Sequence, residues 1–188
     1  MMIYFKYLLI VLLDILANIS NFIVAPILSI FTRAKPDLNE KGEQWGWIYG
    51  TWDNPPQGDS KWQREGWFPY ITTGWKGYLN RVGWLYRNPC YGLQKMMGID
   101  YNPNNLIGCK GNENISDKYG IAGSYYAEVR SPAGKVLGFE YYLIKPYGNG
   151  KCLRVRLGWK IMTDKFEKYG FAAFVDTITP YKQFGKNS

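Results

Sequence analysis

The order of apolar and polar positions divides the chain into three stretches of different character. From Tyr7 to Phe31 the sequence YLLIVLLDILANISNFIVAPILSIF is almost continuously apolar, and a helix of that length reaches across a hydrocarbon core of roughly 30 Å. Asp14, Asn18 and Asn21 interrupt the run at i, i+4 and i+7, which puts all three on one face of the predicted helix. Such a stripe calls for a partner helix, water or the headgroup region, because a carboxylate facing lipid is costly. Four readings are open. A transmembrane anchor is favoured by the length and by the flanking Lys6, Arg33 and Lys35. The polar stripe also suits a helix lying in the interface, or a re-entrant pair broken near Pro26. A cleaved signal peptide has against it the long run, Asp14 within it and the lack of a small-x-small cleavage site. The fourth reading is a buried helix of a soluble core. If the segment spans, Arg33, Lys35 and Lys41 outnumber Lys6 and the amino terminus, so the positive-inside rule puts the C-terminal domain in the cytoplasm.

A second stretch, WKGYLNRVGWLYRNPCYG from Trp75, has Trp75, Leu79, Val82 and Tyr86 at helical spacing and ends at Asn88-Pro89, which predicts a short helix. Gly77 and Gly83 lower its intrinsic propensity and mark close approach to another element. An irregular Asn- and Gly-rich passage is expected from Gly98 to Asp117. The period then changes to two. Gly123 to Arg130, Lys135 to Ile144, Lys151 to Ile161 and Phe171 to Thr179 read as strands, the first three separated by Ser131-Pro-Ala-Gly134 and Pro146-Tyr-Gly-Asn-Gly150. In the third, Leu153, Val155 and Leu157 alternate with Cys152, Arg154 and Arg156, which predicts one apolar and one largely basic face. The predicted fold class is α+β. A hydrophobic membrane-anchor helix occupies residues 1–36, and an aromatic-rich domain with a C-terminal antiparallel sheet occupies residues 37–188.

Composition sharpens three points. Seven of the eight tryptophans lie between Trp45 and Trp84. In WGWIYGTWDNPPQGD, Trp45, Trp47 and Trp52 suit a packed core, an interfacial aromatic belt or a sugar-stacking platform. Asp53, Asn54 and Asp59 either close the turn or offer oxygens to a hard cation, without the acid spacing of a calcium loop. The net charge is +8, and from Lys145 onward nine Lys/Arg stand against three Asp/Glu, a net +6. An anionic neighbour is therefore expected, either lipid headgroups or phosphate. Arg81 and Arg87 could hold an anionic group or pair with a local acid. Arg154, Arg156 and Lys160 form either a solvated face or a phosphate-binding one. Cys90, Cys109 and Cys152 include no C-x-x-C pair, and the chain has no histidine. No metal and no cofactor is expected, and Ser-His or Cys-His nucleophiles, phosphate loops and nucleotide-binding glycine fingerprints are missing. Asp53, Asp59 and Glu65 cluster in sequence beside tryptophans, but sequence proximity does not make a carboxylate pair across a substrate. The expectation is a binding protein, not an enzyme.

The hydrophobic N-terminus, TWDNPPQGD, YLNRVGWLYRNPCYG and CLRVRLGWKI followed by a phenylalanine-rich strand resemble an uncharacterised family of small proteins of tailed bacteriophages. The resemblance covers most of the chain in the same motif order. It implies a viral source and a membrane-associated accessory role, and carries over no catalytic residue. The expected function is binding at the host inner membrane, with envelope modification or superinfection exclusion as tasks and an unknown membrane or phage protein as partner. The alternatives are a minor virion component inserted into the membrane at DNA entry, and nucleic-acid binding through the basic strands, which is disfavoured.

Overall fold

The structure is a computed structural model and describes residues 2–31, 48–49, 74–162 and 164–185. It is an α+β chain dividing into two compact units, Met1–Leu9 with Met97–Ser188 and Ile10–Met96. The predicted apolar helix exists as α1, Met2–Phe31, and it continues through Pro26 without a break. Trp45, Trp47, Trp52, Asp53, Asn54 and Asp59 lie outside the described residues.

The first unit is built on a five-stranded antiparallel sheet. Its strands follow a two-residue strand β1 (Ile99–Asp100) and are β2 (Leu106–Gly111), β3 (Gly123–Arg130), β4 (Val136–Gly148), β5 (Lys151–Trp159) and, after β6 (Phe171–Ala172), β7 (Phe174–Gln183). Their order is β2-β3-β4-β5-β7, with β1 and β6 paired separately. The β4–β5 hairpin pairs right up to its turn, Gly148 opposite Lys151, because Asn149 and Gly150 both take positive φ, 52° and 66°. An Asn-Gly pair of that conformation matches the twist of the flanking strands. This is why β4 runs four residues past the expected Ile144 end. The passage expected to be irregular contains β2, whose register Leu106 opposite Arg130 to Gly111 opposite Tyr125 is supplied by β3. Gly108 and Gly111 hide such a strand from local propensity.

The sheet's covered face carries Tyr125, Ala127, Tyr142, Ile144 and Cys152, closed over by Ile115, with Met162 and Phe184 packed against them. Cross-strand register puts Arg156 opposite Tyr142 and Arg154 opposite Ile144, so both arginines share the face of the core. The arginines of β5 thus stand on a covered face and not on a solvated one. Burial of these arginines is made tolerable by paired carboxylates. Glu140, 0% exposed, accepts from Arg156 Nε at 2.6 Å, and Asp117 accepts from Arg154 at 3.4 Å. At Gly158, φ +102°, a Cβ would run into the Phe139 carbonyl oxygen, so only glycine serves there.

The first two turns of α1 complete this unit. Tyr7 packs its ring 5.2 Å from Phe139, 5.9 Å from Trp159 and 5.4 Å from Phe174 between centroids. Trp159 and Phe174 are fully buried, and the Trp159 indole N–H donates to the Met97 carbonyl at 2.7 Å. Tyr4 exchanges a hydrogen bond with Tyr126 at 2.7 Å. Aromatic packing of this kind, with the polar tips satisfied, is a large share of a small unit's apolar burial.

The second unit joins the rest of α1 to α2 (Gly74–Arg87) and α3 (Tyr91–Met96). The side of α2 that is buried carries Gly77, Asn80, Gly83 and Leu85, whereas Trp75 is 70% exposed. The two glycines thus lie on the packed side, as their positions suggested, but the aromatic stripe that begins at Trp75 does not.

Candidate membrane-facing surface

Residues of α1 sort by burial at helical spacing, and in the reverse of the usual sense. The covered side holds Ile10, Asp14, Asn21, Ala25 and Ser29, each buried. The open side is a continuous run of large apolar groups. Leu9, Leu16, Ile23 and Ile30 recur every seventh residue, hence along one line of the helix, and the last three are 63%, 71% and 65% exposed. A helix on a water-soluble domain buries its apolar stripe and shows its polar one, and an exposed apolar surface of this extent marks an interaction site.

Asn18, Ser20 and Asn21 each bond to protein groups. Asn18 Nδ2 donates to Asp14 at both the backbone oxygen, 2.8 Å, and Oδ2, 2.7 Å. Ser20 Oγ donates to the Ala17 carbonyl at 2.9 Å and meets the Tyr49 hydroxyl at 2.8 Å. Asn21 Nδ2 donates to the Leu85 carbonyl at 3.0 Å, satisfying an orphan acceptor in the last turn of α2. Within the Asp14–Asn18–Asn21 stripe, Asn21 thus meets a second helix, while Asn18 bonds to Asp14 on α1 itself.

Two side chains of α2 repair α1 in return. Pro26 has no N–H to give the carbonyl four residues before it, Phe22. The Tyr86 hydroxyl donates to that oxygen at 2.9 Å, and the two rings sit 5.7 Å apart. Arg81 donates through Nε and Nη2 to the Ser29 carbonyl at 3.1 and 3.0 Å, capping the end of α1 where carbonyls lack intrahelical donors and a cation complements the dipole. Burial pulls the Arg81 pKa down. Arg87 stands in the last turn of α2, where its charge likewise favours the helix end. Arg81 is thus engaged as a helix cap.

Arg154 and Arg156 are drawn into pairs. Arg156 lies over the Tyr142 ring at 5.0 Å as well as on Glu140. Burial pulls its pKa down, and Glu140 together with Tyr125 and Tyr142 more than offsets that. Asp117 holds Arg154 and also Lys182, at 3.8 Å. Lys160 joins the Ala173 carbonyl through its backbone N–H at 2.9 Å. All three cysteines are free. Desolvation, with Asp14's charge second, pushes the Cys90 thiol up to about 12, so it holds its proton at neutral pH and lacks the thiolate of a nucleophile.

The model of a family described as Family of unknown function (DUF7338) matches residues 1–186. The chain belongs to that family. No curated protein and no solved structure matches it. The DUF7338 match begins at residue 1, so it takes in α1 together with the sheet. The sequence pattern gives Tyr86 only a place in a helical stripe and Tyr7 only the head of the apolar run, and it singles out neither Tyr4 nor Glu140. Only Pro26 left a signal: a proline within a helix orphans the carbonyl four residues earlier and asks for a donor from elsewhere.

Proposed function

We propose that this DUF7338 protein is a phage-encoded accessory protein that acts by binding at the host inner membrane, with α1 as the element that meets lipid. One observation carries the reading: α1, long and apolar enough to cross a membrane, covers its polar face with protein and leaves its large aliphatic groups open. Water alone does not stabilise that arrangement, whereas acyl chains do. The excess of basic residues, +8 overall, adds attraction to an anionic leaflet. Envelope modification and exclusion of a second phage are the tasks that fit a small binding protein at this surface. The nucleic-acid alternative loses support, because Arg154 and Arg156 already serve Asp117 and Glu140.

The test is flotation of the purified full chain with phosphatidylglycerol-containing vesicles. The wild type is expected to float. Leu16→Asp combined with Ile23→Asp is expected to stay at the bottom of the gradient with an unchanged urea midpoint, because both positions are open in the folded protein. Wild-type protein remaining at the bottom would end the proposal.

A further inference from the structure

We infer that α1 does not cross the bilayer but lies along one anionic leaflet, with its open face in the acyl region and α2 on its water side. The inference rests on the membrane reading above and adds to it the mode of binding. Because the first two turns of α1 belong to the sheet unit, a crossing segment would run from Ile10 to Ile30, about 30 Å at 1.5 Å per residue, and place Ile30 near one edge of the hydrocarbon. Asn21 would then sit about 13 Å deeper at 1.5 Å per residue, well inside a core roughly 30 Å thick. Asn21 is bonded to the Leu85 carbonyl and Phe22 to the Tyr86 hydroxyl, so the C-terminal turn of α2 would be carried to the same depth.

That turn is polar. It ends in Arg87, which is exposed, and it is followed by Asn88, whose backbone and side-chain nitrogens both donate to the Trp84 carbonyl. An arginine and a helix end at that depth are costly in hydrocarbon. Deeper still along α1, Asp14 is buried, and its charge is felt at Cys90, which follows Pro89 beyond the same turn. Laying α1 in the plane removes every one of these conflicts. Leu9, Leu16, Ile23 and Ile30 then enter the leaflet side by side, while Asp14, Asn21 and Ser29 stay against protein. Apolar burial by the open face and the +8 charge supply the affinity together.

The experiment places a fluorophore at Leu9→Cys, Leu16→Cys, Ile23→Cys or Ile30→Cys of the full chain, on a Cys109→Ser background, since Cys90 and Cys152 are buried. The background protein, labelled in parallel, gives the residual signal, and circular dichroism checks folding of each variant. Each is bound to sealed phosphatidylglycerol-containing vesicles and quenched by lipids carrying the quencher at successive depths. One shared shallow depth for all four positions, with both Leu9→Cys and Ile30→Cys reached by an impermeant reagent from outside, is the expected result. A depth that passes through the midplane, with one end protected from the reagent, would overturn the in-plane mode and leave the membrane reading standing. Vesicles that neither float the protein nor quench any position would overturn both.

Discussion

Removing one partner of the Glu140–Arg156 pair should be far more damaging than removing both. The Glu140 side chain is 0% exposed and that of Arg156 21%. One carboxylate oxygen accepts from Arg156 Nε at 2.6 Å, and the other accepts the Met162 backbone N–H at 2.8 Å. Arg156→Leu leaves a buried carboxylate with neutral donors, among them the Met162 N–H and the Tyr125 hydroxyl, and breaking a buried pair in this way costs about 3–5 kcal/mol. For a protein of this size that lowers Tm by on the order of 10 °C. In Glu140→Leu/Arg156→Leu neither charge remains. The residual loss falls on the Met162 N–H and the Tyr125 hydroxyl, each worth about 1–3 kcal/mol if it stays unsatisfied. The double variant is therefore expected to be more stable than Arg156→Leu. The assay is urea unfolding of the full-length chain, followed by near-ultraviolet circular dichroism of the packed aromatics around Trp159. The coupling comes from the complete cycle of four proteins. A cost below about 1 kcal/mol for Arg156→Leu, or a double variant whose loss equals the sum of the singles, would refute the account of these arginines as core residues balanced by carboxylates.

Tyr86→Phe deprives the Phe22 carbonyl of its hydroxyl donor and should cost about 1–2 kcal/mol. In a Pro26→Ala background, where an N–H is restored to the helix, the same change should cost measurably less, and equal losses in the two backgrounds would show that the hydroxyl is not compensating for the proline. For Asp176, burial raises the carboxyl pKa above its ordinary 3.8. Between the unfolded and the raised value the native state holds more protons than the unfolded one, so this group lowers stability as pH rises through that window, and the deficit persists to neutrality. Asp176→Asn is accordingly expected to gain stability over wild type at pH 7 and to lose that advantage near pH 3; an advantage unchanged by pH in urea titrations would contradict it.

Local pattern was enough for several elements of this protein. The apolar run became α1, and Gly123 to Arg130 became β3 with the expected ends. The Asn149-Gly150 turn closed its hairpin, because turn conformation and strand alternation depend on neighbouring residues. Other features depended on residues distant in sequence. Alternation along β5 separates Cys152, Arg154 and Arg156 from Leu153, Val155 and Leu157, yet it is silent on which set faces the core. Glu140 and Asp117 decide that by making it tolerable to turn the arginines inward. The same holds for α1. Its stripe of Asp14, Asn18 and Asn21 is visible in the sequence, but its direction was set by a carbonyl at Leu85 that could accept from Asn21. Tyr7 entered the sheet's aromatic cluster through Phe139, Trp159 and Phe174, none of them near it in the chain. Periodicity divides an element into two faces, and the burial free energy of each face exists only once another part of the chain has come to cover it.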